Sequence, residues 1–295
     1  AVPCATGRVM ELRCIAQREG KLLSFLRREL ALSSTLTKRL KYQNAYTVNG
    51  AHVFTDHTVR VGDEIRVRLE EPTPVYPPED APLSILYEDE ALIAVDKPAG
   101  MMVHPSSARN TGTLANRLTA YYQKTGQACA VHPVSRLDRD TFGVVLLAKN
   151  AHIHALLCAA AKDGALQKGY HALTFGAPEA DEGVWDAPIA RACPPSLLRC
   201  VRPDGKPSRT HYAVLRRFAD GLSLLRLQPL TGRTHQLRLH CAHFGCPIVG
   251  DPQYGDAPSF GLTAQQLCAK TLSLPHPLTG APLVLRSAQE VWLPE

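Results

Sequence analysis

The chain has 295 residues, of which 45% are hydrophobic and 20% charged, and its formal net charge is +6. A chain of this length can bury one large core and one small core, and its mildly basic balance is compatible with a polyanionic partner. No apolar run approaches the roughly 20 residues that cross a bilayer, and the first residues lack the pattern of a signal peptide. We therefore expect a cytoplasmic protein.

Nine cysteines are scattered along the chain without a Cys-x-x-Cys pair. This pattern predicts reduced thiols and favours neither a disulfide framework nor a thiolate zinc site. Cys241 and Cys246 lie near His240 and His243, but nothing elsewhere in the sequence supplies a matching pair of ligands. Nucleotide-binding and flavin-binding motifs are also absent from the sequence. We expect no metal and no cofactor.

The first 71 residues have the pattern of a small, separate module. Apolar residues recur at helical spacing in a first helix, at Leu22, Leu23, Phe25, Leu26 and Leu30. Ser33 or Ser34 is expected to cap a second helix. Asn49-Gly50 predicts a hairpin turn, and residues 62–69 alternate between apolar and polar as a strand does.

This module resembles the S4-like RNA-binding domain. The matching features are the two-helix unit that begins at residues 20–26, Val48-Asn49-Gly50, and Val61-Gly-Asp-Glu-Ile65. The resemblance implies that the two helices bind RNA through basic residues, namely Arg27, Arg28, Lys38, Arg39 and Lys41. Contacts of this kind with phosphates make binding salt-dependent. The alternative is that these residues only keep the surface soluble.

A proline-rich segment follows the module. Residues 71–82 contain five prolines. Because proline fixes φ and lacks a backbone donor, the segment is expected to be stiff and extended, and neither helix nor strand. It divides the chain into an S4-like domain (1–71), a linker (72–82) and a second domain (83–295).

The second domain is expected to be α+β, with a mixed, largely antiparallel sheet, because hairpin links join most of its strands and few helices intervene. Strands are expected within 83–96 around a turn at 88–90, and at 144–148, 168–175, 184–190, 211–218 and 222–230. Helices are expected at 113–122, at 152–162, and from a cap at Thr231 or Thr234 to Gly245.

The stretch from 133 to 149 gathers charged residues in front of the apolar run 144–148. A carboxylate at the mouth of a buried strand is rigidly placed, as a catalytic group must be. Asp138 is the candidate. From this stretch alone, the alternative is a solvated charge cluster that caps the strand.

The last expected helix is rich in basic and polar side chains. His235, Arg238 and either Cys241 or Ala242 share one face at three- and four-residue spacing. Arg238 falls in the first turns, where a helix already favours an anion. The helix is therefore expected to present a basic, polar stripe. The loop 246–255 that follows is dense in glycine and proline and requires special dihedral angles.

Taken together, the motifs of the second domain resemble the RluA-type pseudouridine synthase family over residues 83–290. They are Lys97-Pro-Ala-Gly100, Arg136-Leu-Asp138 with Thr141 and Gly143, Lys168-Gly-Tyr170, Gly232-Arg-Thr-His-Gln-Leu-Arg238, Pro247-Ile-Val-Gly-Asp251 and His276-Pro-Leu-Thr-Gly280. The resemblance implies the pseudouridine-synthase fold and an RNA uridine-to-pseudouridine isomerase. In that reaction the base is detached at N1, turned, and rejoined to the ribose through C5. The S4-like module fits members that modify large-subunit ribosomal RNA, so ribosomal RNA is favoured over transfer RNA.

The resemblance also implies roles for individual residues. Asp138 is the nucleophilic carboxylate, and Arg238 is its cation, with Arg233 as a second candidate. Tyr170 packs on the uracil and assists proton transfer from C5. Residues implied to bind substrate are Arg136, Arg139, Arg233, His235, Gln236 and Leu237. A carboxylate acts here as nucleophile or base, and a neighbouring cation keeps it ionised when buried. Attack at C6 and attack at the ribose both stay open. We expect a monomer with no obligate protein partner.

Two positions depart from the family pattern. Ser135 stands where histidine is frequent, and Phe142 stands where a small serine is usual. Phe142 either repacks an apolar wall, which we favour, or narrows the pocket. The target uridine must also leave its stack to reach Asp138. Arg139 then either fills the gap or contacts a surface phosphate.

Two other functions stay open from the sequence. One is a non-catalytic RNA-binding or ribosome-assembly protein on a degenerate synthase domain, for which Phe142 is the support. The other is a hydrolase that uses Asp138 and Asp140 as an acid/base pair.

Overall fold

The structure is a computed structural model, and it describes residues 10–69, 76–106, 110–127, 129–193, 196, 198–256 and 258–293. The helices of the described residues are α1 (Leu22–Arg28), α2 (Ser34–Lys41), α3 (Leu114–Lys124), α4 (Ala151–Lys162) and α5 (Gln236–His243). Over these described ranges, no helix has the length and apolarity needed to cross a membrane.

The strands of the described residues fall into two groups. The N-terminal group is β1 (Met10–Ile15), β2 (Gly20–Lys21), β3 (Tyr46–Val48), β4 (Ala51–His52), β5 (Thr58–Val59) and β6 (Glu64–Leu69). The second group is β7 (Ile85–Glu88), β8 (Leu92–Lys97), β9 (His132–Pro133), β10 (Phe142–Ala148), β11 (Gln167–Phe175), β12 (Glu182–Asp186), β13 (Ile189–Arg191), β14 (Arg199–Val201), β15 (Arg209–Arg217), β16 (Leu222–Pro229), β17 (Leu267–Pro275) and β18 (Pro282–Arg286).

The N-terminal unit, residues 10–69, has a core of its own. Its sheet has the order β1-β6-β3-β4, and helices α1 and α2 supply Leu22, Phe25 and Leu40 to the same apolar cluster. Ser33 caps α2 by accepting a hydrogen bond from the backbone of Leu36 at 3.2 Å. The two helices, the cap and the Asn49-Gly50 turn are confirmed, although Leu23 points outward with 42% of its surface exposed.

The described part of the proline-rich segment, residues 76–82, has no regular structure and lies along α3. Asn116 Nδ2 donates to the Pro77 carbonyl at 2.8 Å, and Arg117 Nη1 donates to the Pro82 carbonyl at 3.1 Å. Lys124 at the end of the helix pairs with Asp80. Residues 72–75 of the expected linker lie outside the described residues. The segment from 76 onward is therefore attached to the second domain.

The second domain is built on a ten-stranded sheet, in the order β12-β15-β16-β11-β17-β10-β8-β7, with β18 beside β17 and β9 beside β10. Its strand pairs are antiparallel except β10 with β17, which run parallel. All seven residues of β10 are buried. Its alternate side chains enter cores on both faces of the sheet, Val145 and Leu147 on one and Val144 and Leu146 on the other. The expected α+β class is confirmed.

One strand prediction needs correction. The expected strand at 184–190 is divided into β12 and β13, with Pro188 between them. Strand β12 pairs with β15 in the large sheet, whereas β13 pairs with β14 in a separate two-stranded hairpin. Because proline lacks a backbone donor, the sheet ladder is interrupted at this position.

The start of α5 also differs from the prediction. The cap residue is His235, with φ 57°, and its side chain makes no capping hydrogen bond. Thr231 Oγ1 instead accepts a hydrogen bond from Arg209 N at 2.9 Å and donates one to Gln236 Oε1 at 2.8 Å. The expected threonine cap is wrong, because the Thr231 side chain instead links the loop before α5 to Arg209 of β15.

Candidate active site

A cleft of about 910 Å³ opens between the loop before β10, the first half of β11 and the segment that leads into α5. It brings together all but one of the site residues predicted in this domain: Arg136, Asp138, Tyr170, Arg233, His235, Gln236, Leu237 and Arg238. Arg139 does not line it. Segments about a hundred residues apart in sequence therefore meet at one place.

Asp138 lies in the loop immediately before β10, with 31% of its side chain exposed. Its Oδ2 atom accepts a hydrogen bond from Arg238 Nη1 at 3.2 Å and lies 3.8 Å from His235 Nε2. Further along the loop, Thr141 Oγ1 accepts a hydrogen bond of 2.6 Å from Gln265 Nε2. The carboxylate thus faces the cleft from a fixed loop and stays open to a ligand.

Lys97 anchors the same loop from below. Its fully buried ammonium group donates to the carbonyls of Pro98, Met101 and Arg139 at 2.9, 2.8 and 3.0 Å. Burial lowers the pKa of Lys97 to about 8, against the opposing effect of the carboxylates of Asp140 and Asp138. The sequence marked Lys97 only as part of a turn motif. The structure shows that it positions the backbone beside Asp138.

Arg238 is almost completely buried, and Asp251 holds it in place. Two parallel hydrogen bonds of 2.7 Å join its guanidinium to the Asp251 carboxylate, and Gln253 Oε1 accepts a third at 2.8 Å. The guanidinium also lies 4.9 Å from the centre of the Tyr254 ring. Burial acts to lower the pKa of Arg238, but the hydrogen bonds and charges of Asp251 and Asp138 together raise it. Arg238 is therefore a permanent cation at Asp138.

This arrangement changes the interpretation of α5. The expected polar stripe is directed inward, because Arg238 and Cys241 are both buried. Asp251 was part of a recognised motif but was not expected at the site. The signal that points to it is the cost of burying an arginine without a carboxylate to pair with it.

Tyr170 forms one wall of the cleft, with 8% of its surface exposed. Burial raises the pKa of its hydroxyl, and the negative charge of Asp138 raises it further. The phenol is therefore protonated near neutral pH. Its ring offers a flat apolar surface next to a carboxylate, which is a suitable arrangement for a nucleobase.

His235 and Gln236 shape the segment that enters α5. Burial lowers the pKa of His235 despite the nearby Asp138, and its Nδ1 lies 2.7 Å from the Tyr254 hydroxyl. The Gln236 amide is used within the protein: its oxygen accepts from Thr231 and its nitrogen donates to the Arg209 carbonyl. Gln236 thus positions the loop while lining the cleft, and its expected contact with the substrate stays a prediction.

The three arginines expected to bind substrate occupy different positions. Arg136 and Arg233 line the cleft, and the Arg233 Nε also donates to the Pro207 carbonyl at 3.2 Å. The guanidinium of Arg139 instead pairs with Asp140 at 2.8 Å and is 59% exposed. Asp140 is thus held by its neighbour and does not line the cleft with Asp138.

The two departures from the family pattern have different surroundings. Phe142 packs with Leu173, Val249 and Cys268 in a separate apolar cluster, away from the cleft lining. Ser135 lines the cleft. The interpretation that Phe142 repacks an apolar wall is confirmed, so it gives no support to a degenerate site.

The expected RNA-binding residues of the N-terminal unit lie on α1 and α2, and all are exposed: Arg27, Arg28, Lys38, Arg39 and Lys41.

The charges of the cleft are unequal. Among the described residues that line it, the cations are Arg136, Lys162, Lys168, Arg233 and Arg238, and the one carboxylate is that of Asp138. Such a cleft attracts a polyanion and brings it to the carboxylate of Asp138.

Comparisons with known proteins agree with this chemistry. Residues 91–243 match the family model described as RNA pseudouridylate synthase. The chain is 37% identical over 254 residues to the uncharacterised RNA pseudouridine synthase YjbO of Bacillus subtilis, covering 85% of this chain and 89% of the relative. It is 36% identical to the ribosomal large subunit pseudouridine synthase D of Xanthomonas campestris, and the match covers 77% of this chain and 72% of the relative. The solved structure titled "Human RNA Pseudouridylate Synthase Domain Containing 1" superposes on this chain with a TM-score of 0.60 at 26% sequence identity. The superposition covers 73% of this chain and 86% of that structure.

Proposed function

The chain belongs to the RNA pseudouridylate synthase family, and on that premise we propose that Asp138 is the carboxylate that starts the conversion of uridine to pseudouridine. The observation that carries this proposal is the position of Asp138, the one carboxylate among the described lining residues, against the fixed guanidinium of Arg238. A carboxylate held by a fixed cation and open to the cleft is suitably placed to act as a nucleophile.

The reaction divides among three side chains. Asp138 attacks uracil C6 or acts at the ribose, and both routes need the same ionised carboxylate. Arg238 stabilises that charge without donating its own proton, because its pKa is raised. Tyr170 supports the ring of the uracil. Burial and the negative charge of Asp138 raise the pKa of the Tyr170 hydroxyl, and the assistance of Tyr170 in proton transfer from C5 remains part of the proposal.

The substrate is ribosomal RNA of the large subunit, and the enzyme works as a cytoplasmic monomer. Support for the substrate comes from relatives named ribosomal large subunit pseudouridine synthase D. Residues 1–71 form the S4-like RNA-binding domain, residues 72–82 the linker and residues 83–295 the catalytic domain. The separate core of residues 10–69 supports this division.

The target uridine turns out of its stack, at a cost of about a few kcal/mol when it is paired. Arg139 lies next to Asp138 in sequence and keeps a largely exposed side chain at the mouth of the catalytic loop. Its role is to occupy the space that the base leaves or to hold the adjacent strand. In both roles the guanidinium of Arg139 leaves the carboxylate of Asp140 and contacts the RNA instead.

The test is tritium release from transcribed large-subunit ribosomal RNA that carries C5-tritiated uridine. Asp138→Asn removes the charge with little change of shape, and we expect release to fall by at least about a thousandfold. Asp140→Asn is the matched control, and it should retain release because its carboxylate does not line the cleft.

The products separate the remaining functions. RNA binding by the wild type without tritium release would indicate a non-catalytic RNA-binding protein. Free uracil would indicate a hydrolase. Sequencing the RNA of a strain that lacks the protein would then identify the uridine.

A further inference from the structure

The side of the cleft formed by the end of α4 and the start of β11 carries two lysines that the reaction above does not use. Lys162 is the last residue of α4, and Lys168 lies on β11. Both line the cleft, together with Ala161 and Leu166. This part of the lining is therefore apolar except for two ammonium groups.

Lys168 is the more unusual of the two. It is partly buried, and within the part of the chain that the structure describes its ammonium group has no hydrogen-bond or ion-pair partner. Burial lowers its pKa. A poorly solvated cation is costly unless an anion compensates it. Lys97 is a fully buried lysine near the cleft, and its ammonium group donates hydrogen bonds to three backbone carbonyls. Among the described residues, Lys168 has no such acceptors.

The position of Lys168 relates it to the reacting base. Lys168 and Tyr170 are two residues apart on β11, and both line the cleft. Two residues of strand span roughly 7 Å. A nucleotide whose base rests on Tyr170 therefore has its sugar and phosphates within reach of the flexible Lys168 side chain. Arg136 and Arg233 line other parts of the same cleft.

We propose that Lys168 binds a backbone phosphate of the RNA strand beside the uridine that rests on Tyr170. This inference builds on the proposed function, because it takes the reacting base to lie against Tyr170. An ammonium group is a compact point charge that suits a phosphate oxygen and carries no base specificity. Lys168 is thus a substrate-positioning residue that draws the backbone into the cleft, with Lys162 on the same side.

RNA binding tests the subsite without relying on catalysis. The dissociation constant for transcribed large-subunit ribosomal RNA is measured against salt for Asp138→Asn and for Asp138→Asn combined with Lys168→Met. Loss of one phosphate contact should weaken binding about tenfold. It should also reduce the slope of log Kd against log salt by about 1. Lys124→Met, which removes a charge outside the cleft, is the matched control and should leave the slope unchanged.

Kinetics of the otherwise wild-type enzyme separate positioning from chemistry. Lys168→Met and Lys168→Gln should raise KM about tenfold, with the loss in KM and not in kcat, while Lys168→Arg should recover most of it because the charge is retained. An unchanged salt slope when Lys168→Met is added to Asp138→Asn, or a fall in kcat at unchanged KM in both neutral variants, overturns the phosphate subsite. If the wild type binds RNA but releases no tritium, the proposed function fails, while the salt slopes still decide the role of Lys168.

Discussion

Arg238 is shared between two carboxylates with different environments. Asp251 is completely buried and holds two nitrogens of the guanidinium, whereas Asp138 is 31% exposed and touches a third. The first carboxylate compensates the cost of burying the arginine. The second stays open to a substrate. In the proposed reaction, this division lets Asp138 react while Asp251 maintains the orientation of Arg238.

The substitution Asp251→Asn tests this division at a single residue. It leaves the buried arginine with a neutral partner, so we expect the free energy of unfolding to fall by about 3 kcal/mol. Misplacement of the guanidinium should also lower kcat by about 100-fold. Urea unfolding and tritium release measure the two effects.

The matched control for that substitution is Asp204→Asn, which breaks an exposed pair with Arg202. Surface pairs contribute little, so both stability and kcat should stay close to wild type. A stable, fully active Asp251→Asn variant would contradict the role assigned to Asp251.

At the scale of elements, the catalytic loop is delivered by β10, which lies between β8 and β17. The parallel contact with β17 is short, pairing Phe142 with Cys268 and Gly143 with Ala269. Gly143 has φ +107°, and a Cβ atom there would stand 2.4 Å from the Ala269 carbonyl oxygen. Glycine at this position therefore permits the close approach that fixes the loop carrying Asp138.

Replacing Gly143 by alanine should open this contact. We expect Gly143→Ala to reduce the free energy of unfolding by about 2–3 kcal/mol more than Gly100→Ala. Gly100 also has a positive φ, +80°, but its added Cβ would meet open space, so the comparison isolates the clash from backbone strain. Urea unfolding measures the difference. Equal losses of unfolding free energy for the two variants would show that β17 shifts to accommodate the added methyl group.

Element positions were predictable where periodicity is local. The apolar spacing and the Ser33 cap located α1 and α2, and the turn at 88–90 correctly separated β7 from β8. The start of α5 was not predictable in this way. It depends on Gln236, whose nitrogen bonds to the Arg209 carbonyl 27 residues earlier. Local cap rules favour threonine at that position, and a distant contact overrides them.

The same distinction applies to the candidate site. Motifs located Asp138, Tyr170 and Arg238, because their order and spacing are visible in the sequence. Asp251 and Lys97 act through contacts that form only in the folded protein. The sequence therefore identified them as members of motifs but did not predict their structural roles. Lys168 shared a motif with Tyr170, but its lack of a partner among the described residues is visible only in three dimensions.

At the scale of the whole molecule, the cations proposed to contact RNA form two separate groups, one in the cleft and one on the helices of the N-terminal unit. The unit has its own core, and the described residues 76–82 are bound along α3 of the second domain. Each phosphate contact increases the slope of log Kd against log salt, so contacts made by the two groups would contribute additively to that slope. The N-terminal unit then contributes affinity, while chemistry depends on the cleft alone.

This separation predicts a charge effect confined to binding. The pair Lys38→Gln and Lys41→Gln on α2 should reduce the slope of log Kd against log salt by up to about 2, because two phosphate contacts are lost. The pair Arg13→Gln and Arg60→Gln changes the net charge equally in the same unit but lies off the two helices, so its slope should stay near wild type. At saturating RNA, kcat should be equal for both pairs, since neither touches the cleft. Equal slopes for the two pairs would mean that the basic residues of α2 only keep the surface soluble.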